Sequence, residues 1–374
     1  MTFPLRGVRV LDLARHYPGG YCTLLLADLG AEVVKVEAPG AGDPLRGPAG
    51  TSPAHIGLNR GKRSITLDTR RPAGLDVLRR LVAGADAVVD SSRPGALEEA
   101  GFGYLQAAAV NPRLVWAALS AFGADGPYAG RAGHEVTFLG QSGALAAMAE
   151  QLPWMPQTAI AAPMAGAVAA MAVAAALAGA ARTGTGCFVD ASITDASTWL
   201  LSGMPAQFTA GAPKLGWAAG RRLYRCADDR WVSVSAAESR TWRALCRVLD
   251  ADDLADRLTA PVEEQTAMAE RFEKVFAARP AAQWMESDPA ATIGAVNEGP
   301  DLLTDPHASA RGALVDVMGT LVPATPVRLR DAEGRRSSTP TTGPPELGAD
   351  TDEILLAAGV PDGELARLRA DGII

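Results

Sequence analysis

The chain has 374 residues, 48% of them apolar and 21% charged, with a net charge of −7. That length is too great for one small core and points to two domains, while the acidic balance excludes a nucleic-acid binder that works by bulk phosphate attraction. Cys22, Cys187, Cys226 and Cys246 are scattered, with no C-x-x-C pair and no cluster with histidine, so no metal site or disulfide framework is expected and a reducing cytoplasm fits.

In chain order, "MTFPLRGVRVLDLARH" has no basic region leading into an apolar core, so it does not read as a signal peptide. "GVRVLDLA" (7–14) reads as a buried strand, "YCTLLLADLG" (21–30) as a helix stopping at Gly30, and "AEVVKVEAP" (31–39) as a second strand. This βαβ unit implies parallel pairing through a right-handed crossover. "SITLDT" (64–69), the helix 72–85, "DAVVDS" (86–91) and "RLVWAALSAFG" (113–123) continue the alternation, so an open α/β layer is expected over the first ~200 residues. Residues 159–181 are uncharged for long enough to span a bilayer, but alanine and glycine dominate them and Pro163 interrupts the start. They read as a buried helix, not as a membrane span. Beyond Trp199, "LYRCADDRWVSVSAA" (223–237) reads as a hairpin, polar helices follow to about 285, and "GALVDVMG" (312–319) reads as a strand. A Pro/Gly linker and two short helices close the tail. The expected division is 1–200, a 201–222 linker, a small domain at 223–325 and a C-terminal segment at 326–374.

The loop after the first strand, "RHYPGGYC", lacks G-x-G-x-x-G, and neither G-x-S-x-G, a P-loop nor H-E-x-x-H occurs. Dinucleotide, α/β-hydrolase, P-loop and zincin readings therefore fall away. Basic residues gather in "LNRGKRS" as Arg60, Lys62 and Arg63, with Arg46 in "GDPLRG" and Arg93 in "SRPG". Open α/β sheets bind ligands at the ends of their strands. The cluster reads equally as capture of a phosphate-rich ligand or as loop solubility. "RAGHEVTFLGQSG" (131–143) sets His134 beside Glu135, either as a base or as the end of a loop.

"PLRGVRVLDLA…PGGYCTLLLADLGAEVVKVEAPGAGDPLR", "LNRGKRSITLD", "SRPGALEEAGFGY", "NPRLVWAALSAFGADGPY", "AGHE", "RTGTGCFVDASI", "DPHASARG" and "LGADTDEILLAAG" follow one another in fixed order. This series resembles the family III CoA-transferases, of the carnitine dehydratase/bile-acid-inducible type, and within them the α-methylacyl-CoA racemases. The resemblance implies a Rossmann-like large domain with an open parallel sheet, a smaller α+β domain, and a C-terminal segment returning to the large domain. It also implies an interlocked homodimer. No prosthetic group is implied; the substrate would be a CoA thioester, or one on a protein-bound phosphopantetheine. His16, Tyr17 and Pro18 would flank the thiol arm, and Arg46, Arg60, Lys62, Arg63 and Arg93 would lie near the nucleotide and its phosphates.

The resemblance further implies that His134 moves the proton at C2 of the acyl group, with Glu135 nearby and Glu238 of "SAAESRTW" orienting the imidazole. A thioester carbonyl acidifies that C–H, and a pKa of ~6.5 suits reversible transfer near neutrality. Relatives use an aspartate as second-face acid or as transferase nucleophile; it falls here at Ala161 or Ala162, in "TAIAAPMAG". An isomerase or epimerase with a histidine base is expected. A one-base lyase, dehydratase or cyclase, a CoA-transferase in name, and a non-catalytic scaffold are the alternatives. Ala38 replaces an arginine common after the second strand, which would weaken CoA binding by ~1.5–3 kcal/mol without abolishing it.

Overall fold

The computed structural model describes residues 3–148, 153–203 and 218–374. The chain divides into two units, Met1–Gly203 with Ala310–Ile374, and Met204–Ser309. Most of the expected 201–222 linker lies outside the described residues.

The first unit is built on β1 (Arg9–Asp12), β2 (Glu32–Glu37), β3 (Arg63–Thr66), β4 (Ala87–Asp90), β5 (Val115–Ser120) and β6 (Phe188–Ser192). They form one sheet in the order β3-β2-β1-β4-β5-β6, parallel throughout. Val10, Leu11, Val33, Val34, Val88 and Val89 are buried, as a sheet covered on both faces requires. Strand order reverses between β1 and β4, and the carboxyl ends there form the crevice where such sheets bind ligands.

Three helices follow the first strands: α1 (His16–Asp28), α2 (Pro53–Asn59) and α3 (Pro72–Ala83). α1 begins five residues earlier than the sequence reading placed it and takes Gly19 and Gly20 inside. Each glycine costs about 1 kcal/mol relative to alanine in a helix. Packing against the helix Ala161–Thr183 overrides that preference. Gly166 of that helix lies so close that an added Cβ would stand 2.5 Å from Tyr21 Cβ and 2.7 Å from the Pro18 carbonyl oxygen.

The helix Ala161–Thr183 is long and apolar enough by composition to cross a membrane. One face, including Ala169, Ala170 and Val173, is buried with Val10, Leu26 and Val115 in the sheet core. The other carries the exposed Met171, so the helix is half-covered and not fully buried as the sequence suggested.

The second unit is an antiparallel sheet of β7 (Arg221–Arg225), β8 (Trp231–Ser235) and β9 (Ile293–Ala295) with helices Ser239–Val248 and Val262–Phe276. Tyr224 stacks on Phe276 at 4.6 Å, and Trp242, Phe272 and Trp284 complete its core.

The hairpin β10 (Leu314–Val317) and β11 (Thr320–Pro323) groups with the first unit, whereas the sequence reading put it in the small domain. Its Val317 and Val322 pack on Ile56 of α2. Residues 342–373 then cover the β3 edge. Gly61 N–H donates to the Thr342 carbonyl at 3.0 Å, Ser64 N–H to the Asp350 carboxylate at 2.9 Å, and Asp68 N–H to the Ile373 carbonyl at 2.8 Å. An edge strand with unpaired N–H groups is thereby closed.

Candidate functional site

The carboxyl edge of the sheet gathers the loops after β1, β4 and β5. Across the switch point, Arg15 N–H donates to Ser91 Oγ at 2.8 Å. His16 opens α1 at φ 63°, a left-handed conformation that non-glycine residues rarely adopt. His16 and Tyr17 are exposed and Pro18 is half-buried.

The basic residues singled out in the sequence are engaged inside the fold. Lys62 Nζ donates to Asp12 Oδ2 at 3.0 Å, Thr23 Oγ1 at 2.7 Å and Asn59 Oδ1 at 2.9 Å, which uses all three ammonium protons. Lys35 approaches the same Asp12 carboxylate at 3.7 Å and pairs with Asp43 at 2.7 Å. Burial alone would raise the Asp12 carboxyl, but Lys35 and Lys62 outweigh it and hold it below the usual range. Arg60, 1% exposed, bonds Asp28 at 2.8 Å. Arg46 makes a two-pronged pair with Glu37 at 2.7 and 2.8 Å and reaches the Pro345 carbonyl. Arg63 pairs with Glu32, Asp350 and Glu353, and the exposed Arg93 pairs with Glu99. For Arg60, Lys62 and Arg63 the acids come from distant parts of the chain, which sequence clustering cannot show. Arg46, Arg60 and Lys62 are thus buried and paired with acids of the fold.

A cavity of about 330 Å³ opens at the ends of β1 to β4. Its walls include Arg15, Ala38, Thr69, Arg70 and Ser92, above Lys35, Glu37 and Asp43. The Arg15 residue is exposed, and the Arg70 side chain is 81% exposed beside Asp68. Neither arginine stood out in the sequence. Their places immediately after β1 and shortly after β3 are the signal that marks them.

His134 caps the helix Glu135–Gln141, its carbonyl accepting from Thr137 N–H at 2.8 Å and Phe138 N–H at 3.2 Å. The residue is exposed. Gly133 permits this approach, since a Cβ there would meet Phe138 at 2.6 Å and Phe122 at 3.3 Å. The neighbouring Glu135 does something the sequence did not indicate. Its Oε1 accepts N–H bonds from Ile160 and Ala161, both at 2.5 Å, and its Oε2 accepts from Ala162 at 3.0 Å. It therefore caps the helix Ala161–Thr183, meeting the three N–H groups at its start that have no partner within the helix, since Pro163 has no N–H. Ala161 and Ala162, where an acid was looked for, are buried methyl groups beneath this carboxylate.

Tyr21 also belongs to this corner and was missed. Burial raises its phenol above the ordinary value, and neighbouring Tyr17 and Glu135 raise it further. Glu238 lies in the second unit at the start of Ser239–Val248; it is exposed, and its backbone N–H bonds Thr241 Oγ1 at 3.1 Å.

Comparison with known proteins identifies the family. Residues 5–351 match the profile of CoA-transferase family III. The chain is 30% identical to an α-methylacyl-CoA racemase of Homo sapiens, over 99% of this chain and 97% of that one. It is 31% identical to a succinyl-CoA–D-citramalate CoA-transferase of Chloroflexus aurantiacus, covering 99% and 98%. A crystal structure of a CAIB/BAIF family protein from Brucella suis superposes with a TM-score of 0.81 at 28% identity, covering 96% of this chain and 100% of that one. With the match running through nearly the whole sequence, the chain belongs to CoA-transferase family III and is an enzyme of that family.

Proposed function

We propose that the protein is an acyl-thioester isomerase or epimerase in which His134 removes the proton at C2 of an acyl-CoA. Similarity does not choose the reaction, because racemase and transferase relatives stand at 30% and 31% identity. The choice rests on one observation: an exposed histidine adjoins Glu135, the carboxylate that caps a helix whose residues 161 and 162 are alanines. Transfer through an acyl-enzyme anhydride needs a free carboxylate. Among the described residues the carboxylate at that helix start is Glu135, and its three N–H bonds occupy the oxygens that would attack.

In this reading the nucleotide end of CoA occupies the cavity at β1 to β4, with Arg15 and Arg70 toward its phosphates, and the thiol arm passes His16, Tyr17 and Pro18. The C2–H bond then breaks toward imidazole, and its electron pair enters the thioester enolate. The alanines at 161 and 162 also favour a second reading, a one-base enzyme that never returns the proton on the opposite face.

Deuterium uptake at C2 of a 2-methylacyl-CoA in D2O tests the base. Wild-type protein is expected to exchange that hydrogen, and His134→Ala to lose about 10²–10⁴-fold of the rate. A His134→Ala protein that exchanges at the wild-type rate removes His134 from the mechanism. Exchange with retention alone selects the one-base reading.

A further inference from the structure

We propose that the Tyr21 hydroxyl delivers the proton to the second face of the C2 enolate, standing in for the carboxylate that positions 161 and 162 lack. The inference deepens the reading of His134 as base and rests on it.

Three observations place the phenol there. Tyr21 packs on Gly166, one helical turn beyond Ala162, at a distance that leaves no room for a Cβ. α1 leaves the carboxyl edge of the sheet after β1, and the helix Ala161–Thr183 leaves the same edge to enter β6, so the two helices start side by side. Helical side chains lean toward their own N-terminus, which carries the Tyr21 ring from the level of Gly166 toward that of Ala162. Finally, Tyr21 is only half-buried, and its electrostatic neighbours are Tyr17 on the preceding turn and the Glu135 carboxylate that rests on Ile160, Ala161 and Ala162. The lean of the side chain thus directs a polar hydroxyl toward the level of two buried methyl groups.

The step balances. His134 takes the C2 proton, and the C–H electron pair becomes the enolate. On the opposite face the Tyr21 O–H bond breaks, its proton joins C2, and the enolate pair forms the new C–H bond. The phenolate left behind regains a proton through solvent as the imidazolium releases one. Burial beside a carboxylate keeps the phenol protonated at neutral pH, the form a donor needs.

Tyr21→Phe keeps the ring and removes the hydroxyl. Exchange and inversion at C2 are measured together in D2O on the intact protein with a single enantiomer of a 2-methylacyl-CoA. The expected variant exchanges at close to the wild-type rate but inverts about 100-fold more slowly, so that deuterium enters with retention. An unchanged ratio of inversion to exchange, or an equal fall in both, overturns the proposal. Wild-type protein that exchanges only with retention also overturns it while leaving His134 as base. Wild-type protein with no exchange at all defeats the His134 reading itself. If Tyr21→Phe does not fold, fluorotyrosine at position 21 replaces it. An acidified phenol moves the alkaline limb of the inversion profile to lower pH, and a profile that does not move overturns the assignment.

Discussion

Removing Lys62 from water is costly, and the fold meets that cost with three acceptors around one ammonium. One of them, Asn59, fixes more than the lysine. Its Oδ1 faces Lys62, so its Nδ2 donates to His55 Nδ1 at 3.0 Å, and His55 must carry its own proton on Nε2. That Nε2 is buried with no partner among the described residues. Burial, then Arg46 and Lys35, hold the imidazole down to about 4 against the opposing pull of Glu37 and Asp43. The unfolded chain therefore binds a proton through about pH 6.5 that the folded chain refuses. Stability from this group is full above about 6.5, falls as pH drops toward about 4, and levels off below. The loss approaches ~3 kcal/mol. Urea melts between pH 7 and pH 4 are expected to show this fall, and His55→Gln to flatten it; equal slopes in the two proteins refute the assignment. His55 carried no such signal in the sequence, because the groups that surround it are set by folding.

The start of the helix Ala161–Thr183 shows how an element is fixed from outside. Its N-cap residue, Ile160, offers no side-chain acceptor, and Glu135 supplies one from the first turn of the helix Glu135–Gln141. A carboxylate at that end also complements the helix dipole. Glu135→Gln keeps the shape but loses the charge and is expected to lower stability by about 1–2 kcal/mol in denaturant melts. A change near zero would mean that solvent satisfies those N–H groups equally well. Strands and helix faces were legible from apolar spacing: Val33 and Val34 in β2, Leu75, Leu78 and Val82 in α3. The early start of α1 was not, because its Gly19 and Gly20 read as loop residues until the close partner helix is known. His134 stood out through its motif, whereas the use of Glu135 as a cap depends on an approach across 25 residues that no local pattern encodes.

At the scale of the molecule, the first unit is completed by residues that follow the second. Leu355, Val360, Leu365, Leu368 and Ile373 are buried in the same core as Leu11 and Trp116 of the sheet. Five such side chains at about 1.5–3 kcal/mol each rival the ~5–15 kcal/mol that holds a typical domain folded. A chain ending at 342 is expected to aggregate or to be digested rapidly in limited proteolysis; a monomeric, protease-resistant product would show that the closing segment is dispensable. The "DEILLAAG" periodicity marked these helices, but only the pairing of Ser64 with Asp350 identifies the surface they cover.

This ordering has a consequence during synthesis. When β3 and its neighbours emerge from the ribosome, the residues that seal them have yet to be translated, and the entire 204–309 stretch must come first. The nascent protein thus passes through a stage with a bare strand edge and an uncovered greasy flank, where a chaperone has something to hold and a neighbouring copy has something to stick to.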